Sequence, residues 1–212
     1  MRKRYLSAAR RLTLAKLRWY WLYYTPLLSG AIATFIHKLI YGRSFTLGRS
    51  ARIWGGYRVL ILGEGRIEIG ERFHCVSSES RSLITLFSPV RLTAFDQASI
   101  KIGHNVGLNG TAITSVKKIS IGDETMVAPN TIIVDSDFHN PWPPEQRWTA
   151  KAEGAEVTIG KRVWIGMNVI VLKGVTIGDN SIIAAGSVVT QDIEADCLAA
   201  GNPARKIKSL VP

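Results

Sequence analysis

The chain has 212 residues, 46% of them hydrophobic and 20% charged, with 19 glycines, which suits one full-sized folded domain with an appendage and excludes a disordered chain. Its formal net charge of +11 is confined to one end: no Asp or Glu precedes Glu64 whereas twelve Lys and Arg do, and residues 64–212 carry 15 basic against 16 acidic side chains. That distribution, with no helix-turn-helix or aromatic-basic sheet signature, excludes a basic domain wrapped in nucleic acid and points to local attachment to an anionic surface, for which membrane headgroups are suited.

Residues 1–44 open with MRKRYLSAARRLTLAKLR and run into an uncharged stretch of 18 residues from Trp19 to Ile36. A membrane span needs about 20 residues, and this stretch carries Pro26 and Gly30 near its middle. Trp19, Tyr20, Trp21, Tyr23 and Tyr24 crowd its beginning, and such rings favour the headgroup level. The segment is expected to form helices broken at Pro26 that lie in a membrane interface. Helices packed on the rest of the protein or on a neighbouring subunit, a true span and a signal peptide are the alternatives.

Residues 45–99 read as irregular coils with strand character, IEIG at 67–70 being the one clean match to the pattern that follows. From IKIGHN onward an aliphatic residue recurs at every sixth position, interrupted only by connecting segments. IKIGHN and VGLNGT place Ile102 and Leu108 inside; ISIGDE, TMVAPN and TIIVDS do the same for Ile121, Val127 and Ile133. From Val157 the run is unbroken through Ile159, Ile165, Val171, Ile177, Ile183 and Val189. Two residues before each of these six stands a small or β-branched side chain, Val157, Val163, Val169, Val175, Ser181 or Ser187.

A six-residue period fits neither a helix nor a long alternating strand, but it fits a short strand and a tight turn, repeated. Three such units close a triangular coil in which each aliphatic residue stacks on its equivalent one coil away, while Gly, Asn and Asp supply the corners. The expectation is an all-β domain over residues 45–200, a parallel β-helix. Known hexapeptide examples wind left-handed, which their short connections permit.

Two segments depart from the period. Residues 135–156, between Val134 and the strand at Val157, form a loop with three prolines, two tryptophans and one histidine, and a loop of that length inside a solenoid is usually functional. Residues 201–212, GNPARKIKSLVP, are expected to cap the last coil as a short basic C-terminal helix starting at Pro203. Cys75 and Cys197 form no framework spacing and read as unpaired thiols in a reducing compartment.

The run WIGMNVIVLKGVTIGDNSIIAAGSVVTQDI, followed by AAGNPARKI, resembles the maltose and galactoside O-acetyltransferase group of hexapeptide-repeat acyltransferases, and in particular relatives that acetylate bacterial surface polysaccharides. The resemblance covers residues 100–210. It implies acetyl-CoA as acyl donor, no metal, a homotrimer with active sites between neighbouring prisms, and a cytoplasmic enzyme. Residues 1–40 would hold that enzyme on the inner face of the membrane.

By the same resemblance His139 is the general base, chemistry that suits an imidazole beside a sugar hydroxyl attacking a thioester. Asn109 would reach the acceptor hydroxyl or the forming oxyanion. Asp137 is a candidate to orient the imidazole, a backbone carbonyl serving equally well. The coenzyme would run past Trp164, Met167, Ala185, Thr190 and Gln191 to phosphate-binding cations at Arg205 and Lys208.

Two departures stand out. Gln191 replaces a common lysine, and TSVKK precedes the Ile121 coil where free-sugar enzymes carry carboxylates. Both the latter and the basic N-terminus favour a lipid-linked or membrane-held saccharide as acceptor. His37, His74 and His104 have no comparable context and read as structural. An N-acyltransferase for an amino or nucleotide-linked sugar is the alternative. A non-catalytic solenoid with an interfacial metal would need three histidines in suitable places, and no H-x-x-x-x-H pair is present.

Overall fold

The computed structural model of the protein describes residues 24–148 and 153–211. Three parallel sheets wrap one core as the left-handed β-helix. The first face runs from Phe45–Leu47 through Arg66–Ile69, Ser99–Ile102, Lys118–Ile121 and Val157–Ile159 to Thr176–Ile177. The second runs from Arg52–Trp54 through His74–Val76, Gly107–Asn109, Met126–Val127, Trp164–Ile165 and Ile182–Ile183 to Cys197–Gly201. The third runs from Arg58–Ile61 through Arg91–Ala94, Ala112–Ser115, Ile132–Val134 and Ile170–Val171 to Val188–Val189.

All the aliphatic residues named from the hexads are buried, as are the small residues two positions before them. Ile121, Ile159 and Ile177 stack in register on the first face, and Leu108, Val127, Ile165 and Ile183 on the second. Corners turn through left-handed residues such as Asn168 (φ 56°) and Asn180 (φ 59°), where an asparagine side chain tolerates that backbone. Thr125 and Thr131 are buried but satisfied, donating to the carbonyls of Gly160 and Gly166 at 2.8 and 3.0 Å.

Residues 45–99 are more regular than their sequence suggests. They build the first coils in register with the rest, but the inward positions hold Phe45, Phe73 and Cys75 as well as aliphatic residues. Aromatic and thiol side chains among these inward positions hide the hexad pattern. A second excursion, residues 77–90, leaves the corner between the second and third faces. Asn130 staples it, accepting from the Phe87 N–H at 2.9 Å and donating to the Thr85 carbonyl at 3.1 Å.

The prism's N-terminal end exposes unpaired strand edges that need covering. A helix over residues 24–41 does this. Gly30 lies so close that a Cβ would fall 2.3 Å from the Ile53 carbonyl oxygen, and the Gly55 N–H donates to the Pro26 carbonyl at 2.8 Å. Tyr41 donates to the Val59 carbonyl (3.0 Å), the Thr34 and Tyr57 hydroxyls bond at 3.1 Å, and His37 lies edge-on to Tyr57 and Phe45.

Pro26 falls in the first turn of the described helix, and the helix expected before it lies outside the described residues. Trp19, Tyr20, Trp21 and Tyr23 lie outside the described residues. Among the described residues no helix is long and apolar enough to cross a membrane.

The expected C-terminal helix is corrected. Ala204–Ser209 is a strand, antiparallel to Cys197–Gly201. The edge of the last coil presents backbone groups in need of partners, which a hairpin satisfies and a seven-residue helix laid across it would not. Gly201, at φ 107°, makes the turn.

Candidate active site

The residues singled out from the sequence fall on two different edges of the prism. Loop 135–156 leaves the corner between the third and first faces. Its root is a buried carboxylate: Asp135 accepts hydrogen bonds from the Ser115 hydroxyl (2.6 Å) and the backbone N–H groups of Val116 (2.8 Å) and Lys117 (2.9 Å). The loop returns where Gly154 pairs with Ser136. Phe138 lies against Phe95, with ring centroids 6.4 Å apart.

His139 projects from this loop, exposed. Its Nδ1 lies 3.1 Å from the Arg147 carbonyl oxygen and its ring meets Trp148 edge-on at 4.9 Å. A carbonyl only accepts, so Nδ1 carries the proton and Nε2 presents its lone pair. Asp137, expected as a candidate to orient this ring, is instead ion-paired with Lys173. The backbone carbonyl takes the orienting position because the loop folds back through the short 3₁₀ turn Pro144–Gln146. Thr190 and Gln191 lie on this same corner, Gln191 one coil beyond Lys173.

The second edge carries Asn109 and Trp164. They line a cleft of about 290 Å³ on the second face, together with His74, Val76, Gly107, Met126 and Pro129. Trp164 and Met126 are exposed and in register. The Asn109 Oδ1 is buried with no hydrogen-bond partner among the described residues. A buried acceptor of this kind calls for a ligand or water donor.

Met167 and Ala185 lie on the corner just beyond the second face, where the Gly186 N–H donates to the Met167 carbonyl at 2.9 Å. Arg205 pairs opposite Ala200, and Lys208 opposite Leu198 across a register shift. Ala200 and Leu198 are alternate positions on their strand, so the two cations opposite them share one side of the hairpin although no helix brings them together. Lys206, between them, is paired with Glu194 at 2.6 Å, and that pair lowers the carboxyl's pKa and raises the ammonium's.

Within one chain, then, His139 on one corner and Asn109 on the opposite face are not brought together. His37 and His104 lie away from the cleft: the first turns from the helix onto Tyr57 and Phe45, and the second accepts the Glu71 N–H through Nδ1 at 3.1 Å. His74, also read as structural from the sequence, lines the cleft. Burial, with a smaller contribution from Arg52, holds its pKa below the ordinary value. Among the described residues no cluster of His, Cys, Asp or Glu could hold a metal ion.

Comparison with known proteins fits this architecture. The family described as bacterial transferase hexapeptide (six repeats) matches residues 156–191. The galactoside O-acetyltransferase of Escherichia coli K12 is 40% identical over 114 residues, 53% of this chain and 55% of that protein. The chain thus spans about half the length of several curated relatives it matches. The putative lipopolysaccharide biosynthesis O-acetyl transferase WbbJ of the same organism is 33% identical over 159 residues, 70% of this chain and 74% of that protein. A solved galactoside acetyltransferase in complex with coenzyme A superposes with a TM-score of 0.55 at 28% identity, covering 92% of this chain and 80% of that one. By repeat, prism and breadth of similarity, the chain belongs to the hexapeptide-repeat transferases of the left-handed β-helix fold.

Proposed function

We propose that the protein is an O-acetyltransferase that moves the acetyl group of acetyl-CoA to a saccharide hydroxyl, the acceptor being a precursor of a bacterial surface polysaccharide. The observation that carries this reading is the contact between His139 Nδ1 and the Arg147 carbonyl: with Nδ1 donating there, Nε2 is left to accept a proton on an exposed loop. In the reaction the acceptor oxygen attacks the thioester carbon while Nε2 takes its proton. The tetrahedral intermediate collapses, the thiolate leaves, and the imidazolium returns the proton to it, giving the ester and free coenzyme. The Asn109 amide would hold the acceptor hydroxyl or the developing oxyanion.

The coenzyme reading draws support from the bound coenzyme A of the similar solved enzyme and from the cations Arg205 and Lys208. Relatives named for O-transfer favour a hydroxyl acceptor over an amine. His139→Ala should abolish acetyl transfer, followed as free thiol released with acceptor present, while coenzyme affinity holds. Full activity in that variant would refute the role. A mass difference of one acetyl group in surface glycans from cells with and without the protein identifies the acceptor.

The two separated edges support a homotrimer. A cyclic arrangement sets the His139 corner of one copy against the Asn109 face of the next.

Attachment to the inner face of the membrane is supported by the outer side of the 24–41 helix. Leu28, Ile32, Phe35, Ile36, Leu39 and Ile40 are exposed there, Phe35 at 69% and Leu39 at 75%, while the opposite side is consumed by the prism. An apolar face of this size, in a stretch of sequence that carries twelve basic residues and no acidic one before Glu64, suits an anionic bilayer. Full-length protein should float with phosphatidylcholine vesicles containing phosphatidylglycerol and less with phosphatidylcholine alone. With roughly 1.5–3 kcal/mol per buried side chain, Phe35→Ser with Leu39→Ser weakens vesicle binding at least about a hundredfold. Unchanged flotation of the double variant counts against attachment through this face.

A further inference from the structure

The outward row of the second face reads His74, Gly107, Met126, Trp164 on successive strands, paired residue to residue. Gly107 is the gap in that row: a Cβ built there meets nothing within 4 Å. The imidazole of His74 and the thioether of Met126 therefore stand on either side of a notch two strand spacings wide, about 10 Å. The side wall of the same cleft is Asn109, with its unpartnered Oδ1.

His74 is held through its ring face. The Trp54 indole stacks on it at 6.2 Å and 27°, and the Arg81 guanidinium lies 5.4 Å from the Trp54 ring centre. A contact through the ring faces fixes the imidazole and leaves its nitrogens to a ligand. Desolvation and Arg52 favour the neutral ring, so one nitrogen donates and the other accepts. A sugar hydroxyl does both.

Resting on the acetyltransferase reading above, we infer that His74 is an acceptor-binding residue that reads a second hydroxyl of the saccharide seated over Gly107, beside the one held at Asn109. The ligand class is a ring or chain with neighbouring hydroxyls, and a simple alcohol or amine would leave His74 unused. Direction agrees: Met167 follows Trp164 on the same coil, and Ala185, Thr190, Gln191, Arg205 and Lys208 lie on the coils beyond it. The coenzyme side is thus C-terminal to Trp164, and the acceptor side is the N-terminal part of the face, where His74 stands.

The test uses full-length His139→Ala protein as a binder without turnover on an array of bacterial surface glycans. The same protein carrying in addition His74→Phe, His74→Gln or Gly107→Val is compared with it. His139→Ala should retain at least one glycan. Adding His74→Phe, which keeps a stacking ring but no hydrogen bond, should weaken retention about tenfold, and His74→Gln should recover part of it. Gly107→Val should fill the notch and abolish retention while coenzyme A affinity, by calorimetry, is kept.

Equal retention with and without His74→Phe, or no glycan retained by His139→Ala, overturns the inference. Turnover in the otherwise wild-type protein separates the two readings. Acetyl transfer with an unchanged acceptor KM after His74→Phe sinks the His74 contact alone. Glycan retention without any ester formed sinks the acetyl-transfer reading alone.

Discussion

At the scale of single residues, two carboxylates at the root of the same loop play unequal parts. Asp135 is buried and accepts three hydrogen bonds, two of them from backbone N–H groups with no other partner close by. Removing it strands those donors, so Asp135→Ala should cost about 3 kcal/mol in urea unfolding and lower transfer by loosening the loop that carries His139. Asp137 pairs with Lys173 in the open, where ion pairs contribute roughly 0–1 kcal/mol. Lys173→Ala should therefore leave the unfolding midpoint almost unmoved. Neither distinction is legible from the D-S-D spelling, because burial depends on which coil lies underneath.

At the scale of elements, the capping helix and the first coils share a core with two groups that resist ionisation. Burial pushes the Cys75 thiol up from 9.0 to about 12 and the Tyr57 phenol up from 10.0 to about 12, despite the hydrogen bond between Tyr57 and Thr34. In the fold both keep protons that the unfolded chain has lost. Stability is thus complete below about pH 9 and falls as pH climbs toward 12. Tyr57→Phe should flatten the part of that fall above pH 10, while costing about 1 kcal/mol at neutral pH for the lost hydrogen bond. Urea unfolding over a pH series reads both effects, and an unchanged alkaline slope would remove Tyr57 from the account.

The helix was legible as apolar and basic, but not its partner. The face holding Pro26, Gly30, Thr34, His37 and Tyr41 turns inward because the first coil offers Ile53, Tyr57 and Val59 to meet it.

At the scale of the whole molecule, the base and the asparagine occupy different edges, so the proposed site closes between copies. His139→Ala and Asn109→Ala proteins, each inactive, should regain activity when unfolded and refolded together. An equal mixture of a cyclic trimer restores about a quarter of the sites. No recovery in a mixture shown to exchange subunits would mean that both residues serve within one chain.

The hexad period determined the prism by itself, since a side chain that must be apolar every sixth residue is a local demand that each coil repeats: Ile159, Ile165 and Val171 could be placed inside from their spacing alone. The loop with His139 was equally plain as a break in that period. Only the tertiary structure decided that His74 stands next to Gly107, 33 residues away, because the 77–90 excursion between their strands breaks the six-residue spacing. Likewise it alone turned Arg205 and Lys208 onto one side of a strand rather than a helix, since the need for partners at the last coil's edge is not written in ARKIKS. Spacing along the chain encodes what each coil needs from itself, whereas a cleft is made between coils.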